Sequence, residues 1–286
     1  ALPVRLGSFL MPGAPGRRAV AAVVLGVWAV TLSAHAWRTL RVPEAERLAT
    51  AARVLPPGES WFALYRGEER AGWARRELDT LPLGAGFVLR ERTSRRVAPV
   101  GAAGRLDTDL VAWLDPGGGL DSLAFLGFSG ADTMRLEALT VGDSVVVLRP
   151  GGRIRVAERP QLTGSWPLRF AADSRAREVG REISVVLLDP ATASVREMSV
   201  LVRERAPRIW ADSADTEPGT GRWIAVRQDT IEAWRLDRIE GSVVLPVWVD
   251  VDGRVVESEE PGGLRFHRTA FELAFFSEPG LTEVPR

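Results

Sequence analysis

The sequence predicts a mainly β fold: a single N-terminal transmembrane helix, then an antiparallel, curved sheet interrupted by about one short helix. Three observations predict it. Residues 19–37 carry no formally charged side chain. From Trp61 onward, apolar and polar residues alternate. Gly, Pro and Asp-Gly turn signals break that alternation at short intervals.

The first element is AVAAVVLGVWAVTLSAHAW at 19–37, bounded by Arg17 and Arg18 on one side and Arg38 and Arg41 on the other. At 1.5 Å per residue its 19 positions nearly match a bilayer core. Trp37 stands where an interfacial aromatic belongs. Ala34-His35-Ala36 has the form of a signal-peptide cleavage site, so a cleaved signal competes with a retained anchor. The retained anchor is the expectation here. Residues 1–18 form a basic leader expected on the cytoplasmic side of the inner membrane, with the main domain in the periplasm. The basic residues of the two flanks hardly discriminate, so the orientation follows the usual threading of a signal-anchor.

Ala19, Ala22, Gly26, Ala29, Ser33 and Ala36 recur at spacings of 3, 4, 3, 4 and 3, which places them on one helical stripe. Small residues let helix backbones approach closely in lipid, so this stripe is the expected packing interface with a helix of another membrane subunit. His35 is a weak pigment or haem ligand candidate, since an imidazole within a membrane helix is costly. It is also near enough to Arg38 to be a polar contact at the interface.

Residues 38–60 read as a membrane-proximal helix and linker, with Pro43, Glu44 and Glu46 suited to a first helical turn and Pro56-Pro57-Gly58 ending it. Residues 61–275 form the β domain and 276–286 a tail. Within the domain, Thr133–Val141 sets Met134, Leu136 and Ala138 against Arg135 and Glu137, and Leu264–Arg268 sets Leu264 and Phe266 against Arg265 and His267. About a dozen strands fit this pattern. One helix is expected near 167–179, closed by Gly180.

Composition removes several function classes. Acids and bases number 37 each, which excludes a general polyanion binder such as a nucleic-acid-wrapping protein. Cys is absent, so disulfides, thiolate metal sites and Cys nucleophiles are excluded. Only two His are present, His35 and His267, and no G-x-S-x-G elbow accompanies them. No catalytic residue, metal ligand or cofactor is expected. Asp250-Val251-Asp252-Gly253 reads as a hairpin turn rather than part of a calcium loop. Asp212, Asp215 and Glu217 read as a solvated loop. Glu257, Glu259 and Glu260 read as a charged strand edge. Seven Trp (61, 73, 113, 210, 223, 234 and 248) are expected mostly in the core, and Trp166 as an exposed interface anchor.

Four stretches carry a resemblance: Trp61–Tyr65 with Gly67 and Ala71–Ala74; Val185–Ser194; Glu232–Leu236; and Val247–Val256. In these the domain resembles a bacterial family with a half-barrel, lipoprotein-carrier-like fold, found alone or as the non-catalytic N-terminal part of membrane-attached transglutaminase-like proteins. The resemblance covers roughly 60–275 and implies a half-barrel whose concave face can hold a lipid tail. The catalytic Cys of a transglutaminase core has no counterpart here. The expectation is a non-enzymatic accessory subunit of a multi-subunit membrane complex, such as a photosynthetic reaction centre with its antenna or a respiratory complex. Its partners would be the bilayer and transmembrane helices of other subunits, with no nucleic acid. The alternative is a membrane-anchored lipid- or lipoprotein-binding module, and an enzyme ranks third.

Overall fold

The computed structural model describes residues 15–40, 50, 55–97, 104–156, 159–172 and 174–276, and within the first helix the side chains of 20–35. Contacts divide the chain into two units, 1–44 and 45–286.

The first unit contains α1 (Pro15–Leu40), 26 residues long. Every described side chain from Val20 to His35 is exposed. The expected transmembrane span needs correction: among the described residues no helix is long and apolar enough to cross a membrane. The physical reason lies in the helix itself. Arg17, Arg18 and Arg38 fall inside it, and Thr31, Ser33 and His35 dilute the second half of the apolar run. Thr31 turns its hydroxyl back onto the Val27 carbonyl, 2.7 Å away.

The second unit is one open sheet of 15 strands. The first wing is a meander: β1 (Gly58–Arg66), β2 (Glu69–Thr80), β3 (Phe87–Val97), β4 (Gly104–Leu114), β5 (Leu120–Ser129), β6 (Asp132–Val141), β7 (Ser144–Arg149) and β8 (Gly152–Val156). The second wing contains β9 (Gln161–Leu162), helix α2 (Trp166–Ala172), β10 (Glu182–Asp189), β11 (Ser194–Thr216), β12 (Trp223–Glu240), β13 (Val243–Asp250), β14 (Val255–Glu260) and β15 (Leu264–Thr269), followed by α3 (Phe271–Phe275). The strand order is β8-β7-β6-β5-β4-β3-β2-β1-β15-β14-β13-β12-β11-β10-β9, so β1 paired with β15 joins the wings. All pairings given for the sheet are antiparallel except β9 with β10.

Period-two patterning decides which face is buried. In β3, Phe87 and Leu89 face inward; in β4, Leu110, Ala112 and Leu114; in β6, Leu136 and Ala138. Val247 and Val249 of β13 and Val200 and Val202 of β11 line the inner face of the second wing. Helix α2 lies against both inner faces. Its Leu168 and Ala171 join the first wing's core, while its Trp166 and Phe170 join the second wing's. Gly253, in the β13–β14 turn at φ +75°, permits this approach: a Cβ there would lie 2.8 Å from the Pro167 carbonyl oxygen.

Three further expectations change. The domain's first strand begins at Gly58, not 61, and α1 extends to Leu40, into the stretch expected as linker. The rest of that linker at 41–49 and 51–54, the leader at 1–14 and the tail at 277–286 lie outside the described residues. The helix expected at 167–179 is α2 followed by a 3₁₀ turn at Ser174–Arg177, with Gly180 at φ +88°. The acidic run 257–260 is not an edge, because β14 pairs with β13 on one side and β15 on the other.

Candidate functional site

The inner face could be a binding site only if it were empty, and α2 fills it. Trp166 is 3% exposed and Phe170 1%, with the Phe170 ring edge-on to Trp234 at 5.9 Å. Trp166 is therefore a core residue, not the exposed anchor expected from sequence. The helix carrying it lies inside the curved sheet, so its largest side chain has no route to solvent. A cavity lined by Phe62, Arg76, Leu78, Leu89, Leu168 and Val255 remains, with a volume of about 30 Å³. That is room for a water, whereas ligand pockets run to roughly 300–1,000 Å³.

The inner face also carries paired charge. Arg238, 1% exposed, donates to both carboxylate oxygens of Glu260 at 3.0 Å and to the Glu259 carbonyl at 2.9 Å. Arg76 pairs with Glu91 at 2.6 Å. Arg95 on β3 is held below the usual arginine range by burial, against the pull of Glu260. The Arg238–Glu260 and Arg76–Glu91 pairs brace the packing of the wings.

The outer face falls into three zones. Over β1 and β2, α3 adds Phe271 to Trp61 at 4.7 Å and Phe275 to Trp73 at 5.3 Å. Beside it, the distal halves of β11 and β12 extend beyond their neighbours: β10 reaches only to Leu201, and β13 begins pairing at Ala233. This two-stranded ribbon is bent by bulges at Val202/Glu204 and Ala211/Ser213. Its side chains return to the sheet: Arg208 lies 3.4 Å from the Trp248 ring, Arg268 lies 4.3 Å from the Trp210 ring, and Trp223 stacks on Phe276 at 5.6 Å. Asp212 and Asp215, expected in a solvated loop, are strand residues of this ribbon. Glu217 starts its turn, accepting the N–H of Gly221 on its carbonyl.

Near the ribbon, Asp250 and Arg268 form a buried pair at 3.3 Å, 2% and 7% exposed at their side chains. Burial pushes the Asp250 carboxyl above its ordinary range, outweighing the N–H of Arg254 and the charge of Arg268. Burial likewise lowers Arg268, against the pull of Asp250. Asp250 also accepts the N–H groups of Asp252 and Arg254, so Asp250–Gly253 is the β13–β14 turn. His267 sits opposite Ala63 and Glu257, with no nucleophile beside it in either register.

The third zone is uncovered. On β4–β7, Trp113, Leu126, Phe128, Leu139, Val141 and Leu148 are between 37% and 58% exposed. Trp113 was expected in the core; its alternation places it on the face opposite Ala112 and Leu114. The register aligns two rungs. One runs Trp113–Ser122–Leu139–Val146–Arg155, and the other Val111–Ala124–Glu137–Leu148–Arg153. Glu137 is neutralised by Arg135, 3.0 Å away. Each strand's outward residues can be read individually, but the register that aligns them across neighbouring strands, shifted by a bulge at Trp113/Leu114, is not legible in the sequence.

The stripe on α1 is uncovered as well. Ala22, Gly26, Ala29 and Ser33 are exposed, and a Cβ added at Gly26 would meet nothing within 4 Å. The side chains of Ala19 and Ala36 lie outside those described. His35 is exposed and has a partner. Among the described residues, no group of three or more His, Asp or Glu is placed to hold a metal ion.

No protein-family profile matches the sequence, and no curated protein matches it. Among solved structures, the chain is similar to a beta-barrel-like protein of domain of unknown function DUF1849 from Brucella abortus. The identity is 13% and the TM-score 0.50, over 75% of this chain and 96% of that one. It is also similar to a DUF1089 family protein from Pseudomonas aeruginosa, at 13% identity and a TM-score of 0.39, over 70% and 93% of the two chains. The first likeness shows the fold, an open barrel-like sheet, and nothing about transglutaminase-like proteins.

Proposed function

We propose that this chain is a non-enzymatic accessory subunit of a multi-subunit membrane complex, with its β domain a rigid contact platform in the periplasm. The observation that carries the reading is the filled inner face. Among the described residues the inner face is packed by its own helix, and the cavity left beside that helix has room for a water, which favours the external surfaces as the ones that act. An apolar patch of several side chains on a soluble face marks an interaction surface. The same filling counts against the lipid-holding alternative.

Helix α1 supplies the second contact. Its valines and Trp28 are exposed along the whole described run, which in water would be costly. We assign it to an apolar environment at the inner membrane, with the small-residue stripe against helices of other subunits. A photosynthetic reaction centre with its antenna, or a respiratory complex, is the kind of host this describes.

The test is purification of the full chain from membranes in mild detergent. Co-migration with a defined set of membrane subunits is expected. Replacing Gly26 and Ala29 together by Leu should weaken that association about tenfold by blocking backbone approach. A lone monomer carrying extractable lipid would overturn the reading in favour of a carrier.

A further inference from the structure

An open sheet has two edges, and this one treats them differently. At one end β9 is two residues long, and both Gln161 and Leu162 are buried. The β4–β5 turn covers that end: Gln161 donates to the Gly117 carbonyl, and the Leu120 N–H to the Pro160 carbonyl. No strand can add there. At the other end β8 is five residues long, pairs with β7 on one side, and has no strand on the other among the described residues.

Edges are normally blunted, since their free N–H and C=O groups template further pairing. The chemistry of β8 limits what can pair. Arg153 and Arg155 are exposed on the outer face, while Ile154 and Val156 extend the first wing's core on the inner face. Arg149 precedes them across the hairpin. From Ser144 to Val156 there is no acid, and among the described residues these three arginines make no ion pair. A second copy of this edge would set arginine against arginine, which is unfavourable. A segment with acids at alternate positions and apolar residues between them would complete both faces. A lipid surface fits less well, because the rung of Arg153 itself carries Glu137, paired with Arg135.

We propose that β8 accepts an extended acidic segment of a protein partner as an additional antiparallel strand, with carboxylates opposite Arg153 and Arg155 and apolar side chains continuing the inner core. This rests on the accessory-subunit reading and names the surface through which the β domain would engage its neighbour.

The probe is a labelled, end-capped heptapeptide alternating Glu and Val, titrated with the full-length protein and followed by anisotropy. A Lys–Val peptide of the same length serves as control. Saturable binding of the Glu peptide, at least tenfold tighter than the Lys peptide, is expected. The double variant R153E/R155E should invert the preference, and R155P, which removes an edge N–H, should abolish binding of either. Both variants are checked for an unchanged far-UV spectrum and melting point. R135E, which alters charge on the neighbouring rung and leaves the edge intact, should bind as the parent does.

No saturable binding, or a preference unmoved by the charge swap, overturns the proposal. So does a variant that merely self-associates, which would show that the arginines only keep edges apart. Equal attachment of the parent and R153E/R155E to vesicles of phosphatidylglycerol, without peptide selectivity, would also overturn it. If the parent chain co-purifies with membrane subunits and R153E/R155E does so equally, the edge proposal fails while the subunit reading stands. If the parent purifies alone, the subunit reading fails whatever the peptide does.

Discussion

Replacing Phe170 by Ala removes the side chain through which α2 engages the second wing. The ring is 1% exposed and packs edge-on against Trp234. Taking its loss as about 150 Å² of apolar surface at roughly 25 cal/mol per Å² gives about 4 kcal/mol. Measured Phe-to-Ala losses in cores span about 3–5 kcal/mol. For a domain of this size, roughly 2–4 °C per kcal/mol converts this to a fall of about 8–16 °C in Tm. The assay is thermal unfolding in mild detergent, followed by the β-sheet circular dichroism band, with urea denaturation as a second measure. F170L, which keeps most of the volume, should cost about 1 kcal/mol. A loss below about 1 kcal/mol for F170A would refute the reasoning, because the inner face would then not be closed by α2 and the case against a lipid-holding barrel would go with it.

Three other outcomes are expected. R268M strands the Asp250 carboxylate in the core and should cost about 3 kcal/mol at neutral pH, most of it recovered in the double variant D250N/R268M, as read from urea midpoints. The raised Asp250 pKa means that the native state holds that proton more tightly than the unfolded chain does. Its contribution is full below the ordinary aspartate range near 4 and is lost as pH rises through the native value, so the parent should lose stability relative to D250N as pH rises above about 4 in a denaturation series. Gly72 has φ +152°, and a Cβ there would lie 2.0 Å from the Ser94 carbonyl oxygen, so G72A should lower Tm far more than G67A. Gly67 has φ +61° with nothing within 4 Å, and its Ala variant should lose only about 1 kcal/mol.

Local patterning carried the strand content, and the reasons for the misses are nonlocal. Leu136 and Ala138 face inward as their alternation requires, and the Asp-Gly at 252–253 lies in the β13–β14 turn, with Gly253 in the left-handed region. Trp166 could not be placed, since nothing in Gly-Ser-Trp-Pro reveals that this helix is roofed by two wings. The acids at 257–260 look like an edge until β15 is known to pair on both sides. The ribbon was missed because its strands are polar in composition, and they are held by Trp248, Arg268 and Phe276, which follow it in the chain. On α1 the apolar run was plain, and Thr31, Ser33 and His35 dilute its second half.

The seam between β1 and β15 bears on how the molecule is made. Each wing is a run of neighbours in sequence and can assemble early through short loops. The seam instead joins Trp61 to Thr269, about two hundred positions apart. During synthesis the first strand must wait with one side unsatisfied until nearly all of the domain has left the ribosome. That interval is the protein's most vulnerable moment, and chaperone dependence should track the delay in closing this zipper rather than the formation of either half.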